Sequence, residues 1–160
     1  MSKAEVFIIE SLNPGEDHFD GKMLSDFLKM SHKKPKYRTV RNITELKAAL
    51  RAFKESNYRY LHISAHGAVE RTGDPAWGLS LSNGQTIDFK ALSKLLKPCL
   101  IKKRLFLSSC SMVNMNCAKS IIKPVGCYSI VGPTTTIGFD DCAVFWISLY
   151  HLMFKIERKK

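Results

Sequence analysis

Tyr58-Arg59-Tyr60-Leu61-His62-Ile63-Ser64, running into Ala65-His66-Gly67, decides how this chain is read. The run is short, rich in aromatic and aliphatic residues, and closed by a glycine, which predicts a strand rather than a helix. Arg104 to Leu107, running into Ser108-Ser109-Cys110, has the same form. Working outward, Val6 to Ile9, Tyr37 to Val40 and Cys127 to Val131 add three more strands. The segments between them carry helical spacing: Met23, Leu24, Phe27 and Leu28; Ile43, Leu46, Leu50 and Phe53; Leu92, Leu95 and Leu96. Asn42, with Glu45 three positions on, reads as a capping box, and Asp88 and Asn114 as further caps. Leu79 and Leu81 alternate with serines up to Asn83-Gly84, and Thr86-Ile87 returns, which predicts a hairpin with a two-residue turn. A long, largely apolar helix starts near Phe139.

Strands alternating with helices imply parallel β-α-β units. The expected fold is a three-layer α/β/α sandwich, with a mainly parallel sheet of about five strands plus a β-hairpin. The 160 residues are read as one domain, 1–160. With 45% hydrophobic and 24% charged residues, disordered and coiled-coil classes are excluded. Five cysteines form no CxxC pair and no even framework, and the polar start is followed by an apolar run too short for a signal peptide. Both features predict a cytoplasmic chain with free thiols. The longest apolar run, 143–154, falls short of the roughly 20 residues of a membrane span, so none is expected.

The formal charge is +11, and it is localised. Residues 22–59 hold eleven basic residues against Asp26, Glu45 and Glu55, and residues 90–104 hold six and no acid. A solvated basic surface accounts for this. Nucleic acid is the alternative partner, though no nucleic-acid-binding signature accompanies the charge.

Open α/β sheets collect their chemistry at the carboxyl ends of the strands. His66 and Cys110 sit at two such ends. If the two strands are neighbours, imidazole and thiol share one crevice, and the imidazole can take the thiol proton. Gly67 allows close backbone approach, and its N–H with that of Cys110 is a candidate oxyanion hole. His62 and His66 cannot share a metal, because four strand residues separate them by about 13 Å. No metal and no cofactor are expected. Cys99, Cys117, Cys127 and Cys142 read as core or surface thiols, and Trp77 as hairpin packing.

The order of strand, His66-Gly67, hairpin from Gly78 to Asp88, helix, and strand with Leu107-Ser108-Ser109-Cys110 resembles the caspase-like cysteine peptidases. Its closest likeness is to the CHAT branch, caspase-like domains associated with tetratricopeptide repeats that include separase relatives. The likeness covers residues 58–153. It implies a cysteine endopeptidase acting on a protein or peptide substrate, with His66 as general base and Cys110 as nucleophile. The alternative is a catalytically weak or inactive caspase-like interaction module. The Gln-Ala-Cys-x-Gly caspase signature is absent, so aspartate specificity is not implied. Asp140 and Asp141 read either as a helix-start pair or, by the resemblance, as lining of a substrate pocket. Glu10, at the end of the first strand, and Ser109 are further substrate-binding candidates. The last helix is apolar almost all round, which predicts burial on more than one side and contact with a second copy or a separate sensor or regulatory protein.

Overall fold

The long central strand of the sheet outruns its neighbours, and that excess places the functional crevice. The computed structural model describes residues 5–157. In chain order the elements are β1 (Val6–Ser11), α1 (Asp20–Met30), β2 (Lys36–Thr39), α2 (Ile43–Lys54), β3 (Tyr60–Ala68), β4 (Gly78–Ser80), β5 (Thr86–Asp88), α3 (Phe89–Leu100), β6 (Arg104–Ser108), α4 (Met115–Ile121), a π-helical turn (Ile122–Gly126), β7 (Ser129–Val131) and α5 (Phe139–Glu157). Five strands run parallel in the spatial order β2-β1-β3-β6-β7.

β3 pairs with β1 through Ala65 and with β6 through Ser64. Its last residues then turn to the antiparallel β4-β5 hairpin, with His66 opposite Ser80, Gly67 opposite Leu79 and Ala68 opposite Gly78. The strand therefore runs through the His66-Gly67 close that the sequence predicts and one residue beyond it, to Ala68. A glycine in a strand that finds a new partner does not stop it.

The three-layer sandwich is as expected. Successive strand residues face opposite layers. Phe7, Ile9, Leu61, Ile63, Leu105 and Leu107 pack under α2, α3 and α4, with Leu46, Leu50, Phe53, Leu92 and Leu96. Val6, Ile8, Tyr60 and Phe106 pack under α1 and α5, with Leu24, Leu28, Trp146, Tyr150 and Phe154.

Local signals decide the ends. Asn42 Oδ1 accepts from the Glu45 N–H at 2.9 Å, and Asp88 Oδ1 from the Ala91 N–H at 2.7 Å. The Glu45 carboxylate reaches back one residue further than a capping box requires, to the Arg41 N–H at 2.7 Å. The hairpin corrects the expected two-residue turn. The Gly84 N–H donates to Leu81 O, the Leu81 N–H to Gln85 O, and Gly84 holds φ of 86°. This is a three-residue loop with glycine at the left-handed position, so Asn83 needs no positive φ.

α5 leaves part of its expected burial unmet within this chain. Cys142, Trp146, Tyr150 and Phe154 are buried, but Val144, Phe145, Leu152 and Ile156 face outward. Within this chain the helix is covered on one side only. No helix among the described residues is long and apolar enough to cross a membrane.

Candidate functional site

The carboxyl ends of β3 and β6, the 132–138 loop and the first turn of α5 enclose a cavity of about 260 Å³. Its lining includes Asp20, His66, Ser109, Cys110, Ile137 and Cys142. The sequence-predicted pair, His66 and Cys110, thus meets at one crevice, because β3 and β6 are hydrogen-bonded neighbours.

Cys110 is half-buried, whereas the other four thiols are buried. Burial pushes Cys99 up to about 11 and Cys117 up to about 12, and raises Cys127 and Cys142. Buried thiols are poor nucleophiles, so Cys110 is the thiol open to chemistry. Its S–H donates to the Ile137 carbonyl at 3.5 Å. The following residue, Ser111, sits at φ of 55°, its N–H on Thr135 O and its carbonyl accepting from Ala76 N. A non-glycine residue in this conformation costs roughly 1–2 kcal/mol, and the two hydrogen bonds hold it there.

Gly67 is the other fixed point. A Cβ at this position would lie 2.3 Å from the Cys110 carbonyl oxygen. Only glycine lets β3 and the Cys110 turn approach this closely. His66 is partly exposed, with Nε2 2.5 Å from Glu16 Oε1 and its ring edge-on to Phe139. Glu16, from the loop after β1, therefore orients the imidazole.

Asp20 is the feature local sequence reading missed. It opens α1, is 5% exposed, and accepts the hydroxyls of Ser64 and Ser108. Ser108 in turn accepts from Trp146 Nε1 at 2.8 Å and lies 3.0 Å from Cys142 Sγ. Asp20 makes no ion pair with a described residue, and its charge is felt around it. It adds to the burial that raises Glu10 and Cys142, and opposes the burial that depresses His62. The Ser109 hydroxyl is buried without a partner.

The remaining sequence candidates lie elsewhere. Glu10 is 1% exposed and outside the cavity lining, with its oxygens taken by the Gly21 N–H at 2.8 Å and the Tyr37 hydroxyl at 2.6 Å. Asp140 and Asp141 stand exposed in the first turn of α5, outside the lining, where the helix dipole favours them. His62 is fully buried, with Nδ1 3.2 Å from the Tyr150 hydroxyl. No metal-binding cluster occurs among the described residues.

No family model matches the chain, and no curated protein matches it. Among solved structures it is similar to a flavodoxin-like domain from Synechococcus sp., at 13% identity and TM-score 0.47, covering 94% of this chain and 99% of that one. It is similar also to oxidised flavodoxin 2 from Bacillus cereus, at 11% identity and TM-score 0.47, covering 92% and 99%. These are flavodoxin-like folds, not caspase-like peptidases. The caspase-like and CHAT resemblance is corrected accordingly, and with it the readings as cysteine endopeptidase and as caspase-like interaction module. The physical reason lies in the topology. Counting parallel strands only, the order is 2-1-3-4-5, which flavodoxin-like sheets also show, and any such sheet gathers side chains at these strand ends. A histidine and a cysteine in that order report the crevice, not the family.

Proposed function

We propose that the crevice is a small-molecule site for a compact cationic ligand, held by Asp20 and presented to the Cys110 thiol. The observation that carries this is the Asp20 carboxylate, buried at the cavity with two hydroxyl partners and no cation among the described residues. A buried carboxylate is costly until an opposite charge meets it. An ammonium or amidinium group entering the cavity supplies that charge, and the Ser109 hydroxyl offers a further partner. At about 260 Å³ the space suits a ligand at or below the lower limit of ordinary small-molecule pockets. His66 lines the same cavity as Cys110, and in this reading it takes the thiol proton as Cys110 adds to an electrophilic carbon of such a ligand.

The flavin chemistry associated with flavodoxin-like folds does not fit here. The phosphate of such a cofactor sits where the first strand gives way to its helix and needs N–H donors and cations. In this chain that place holds Glu16, Asp17 and the buried Asp20. Three acids there repel a phosphate, whereas they attract a cation.

The test uses two thiol reagents on the whole chain: 2-bromoethylammonium, which is cationic, and neutral iodoacetamide. Labelling is resolved by peptide mass spectrometry. Cys110 is expected to react fastest of the five thiols. The cationic reagent should lose about tenfold of its relative rate in Asp20→Asn, a change that removes the charge, keeps one serine hydroxyl donating to the amide oxygen and turns the other serine into an acceptor from the amide NH2. Equal labelling by both reagents, unaltered by Asp20→Asn, would overturn the proposal.

A further inference from the structure

A second cavity, remote from Cys110, lies between the carboxyl end of α1 and the last turns of α5. It measures about 270 Å³. Its inner wall is Phe27, Leu28, Tyr150 and Phe154, and its rim carries His32, Lys33, His151 and Lys155. No Asp or Glu lines it among the described residues. Two lysines and two histidines thus surround an aromatic-walled space with no carboxylate from those residues in it.

The rim side chains are not consumed by the fold. The carbonyls of Phe27, Leu28 and Lys29, which end α1, are taken by the backbone N–H groups of Ser31, Lys33 and His32. The side chains of His32 and Lys33 are therefore not needed to finish the helix. Lys33 Nζ sits 4.5 Å from the centre of the Phe154 ring, and the His151 ring is 6.4 Å from that of Phe27. Neither contact neutralises a charge. His32, His151 and Lys155 are exposed and form no ion pair with a described residue. His32 also holds φ of 57°, a conformation that glycine would adopt without strain. Cations near helix carboxyl ends are favoured by the dipole. That explains Lys33 and Lys155, but not the walled space between two helices.

We propose that this cleft is a ligand site for a flat aromatic anion, a ring bearing a phosphate or carboxylate. The ring would lie against Phe27, the inner-wall side chain that is not buried, and the anionic group would meet His32, His151 and Lys155. Lys33, already over Phe154, would close the site from the α1 side. Aromatic walls supply area and ring contacts, and the charged donors fix the orientation.

Isothermal titration of the full chain tests this, with phenyl phosphate, inorganic phosphate and neutral benzamide as probes. Phenyl phosphate is expected to saturate one site and to bind at least about tenfold more tightly than either of the others. His151→Gln and Lys155→Gln should each weaken it about fivefold or more, as loss of a ligand contact does at a partly exposed site. His32→Gly should also weaken binding while the melting temperature holds or rises, because glycine relieves the backbone. That split separates a ligand contact from a structural role. Cys110 labelling should be unchanged in all three variants, so this site stands or falls apart from the crevice. Absence of saturable binding up to about 10 mM phenyl phosphate, inorganic phosphate binding as tightly as the aryl ester, or affinity indifferent to the three substitutions would each overturn the proposal.

Discussion

Gly67 shows how much one missing methyl group decides. Its Cα lies against the Cys110 carbonyl, so the strand end that carries His66 and the turn that carries Cys110 touch through backbone. Alanine there would place a Cβ 2.3 Å from that oxygen and 3.1 Å from Ala76 Cβ. Neither neighbour is a flexible side-chain tip, so β3 or the turn must move. Gly67→Ala is expected to cost about 1–3 kcal/mol in urea unfolding, the usual penalty of overpacking, and to change the Cys110 alkylation rate. Unchanged stability with unchanged labelling would show that the contact is slack. The histidine, the glycine and the cysteine were legible in the sequence because each stands at the end of an apolar run. Asp20 and Glu16 were not. Asp20 meets Ser64 and Ser108, 44 and 88 residues away, and Glu16 meets His66, 50 residues away. No local period encodes such pairings. The one available signal was position, since both acids follow the first strand, where an open sheet builds its crevice.

At the scale of elements, caps and periods were readable because each depends on residues three or four apart. Asn42, Asp88 and Asn114 all cap as expected. Asn42 matters most to the sheet. It starts α2, whose Leu46, Leu50 and Phe53 cover the β1 and β3 side chains. Asn42→Ala is expected to lower stability by about 1 kcal/mol, seen as a lower denaturation midpoint at unchanged slope, with Asn42→Asp close to wild type. A loss shared equally by both variants would mean that the cap hydrogen bond is not what is being measured. Strand ends were less legible than helix starts. β3 runs on to Ala68 because a hairpin from later in the chain receives it, and the turn of that hairpin takes three residues because Gly84 alone supplies the positive φ. α5 marks the same limit. An all-round apolar helix announces burial but not which face, and the sheet covers only the side with Trp146, Tyr150 and Phe154.

The whole molecule has one further consequence, because a sheet covered on both faces buries whatever its central strand carries. His62 sits mid-β3, fully buried under Trp146 and Tyr150, with Nε2 lacking a partner. Burial depresses its pKa from 6.5 to about 4, against the weaker opposing pull of Asp20. The unfolded chain therefore takes up a proton that the folded chain refuses between those two values. Stability from the neutral ring is complete above about pH 6.5 and falls as pH drops toward 4, by about 3 kcal/mol in all. Glu10 acts with the opposite sign. Its carboxyl is raised by burial, so its share is present at low pH and lost as pH rises through the folded value. The wild-type profile is the sum of such terms, and the His62 share has to be isolated by difference. His62→Phe and His62→Gln remove the titration while changing packing in different ways. Each should shift stability by a constant above pH 6.5. Both should then lose less than wild type between pH 6.5 and 4.5, read as chemical denaturation midpoints at half-unit steps. Profiles that stay parallel to wild type through that window would mean that His62 is protonated in the folded protein, and that the aromatic box around it admits water.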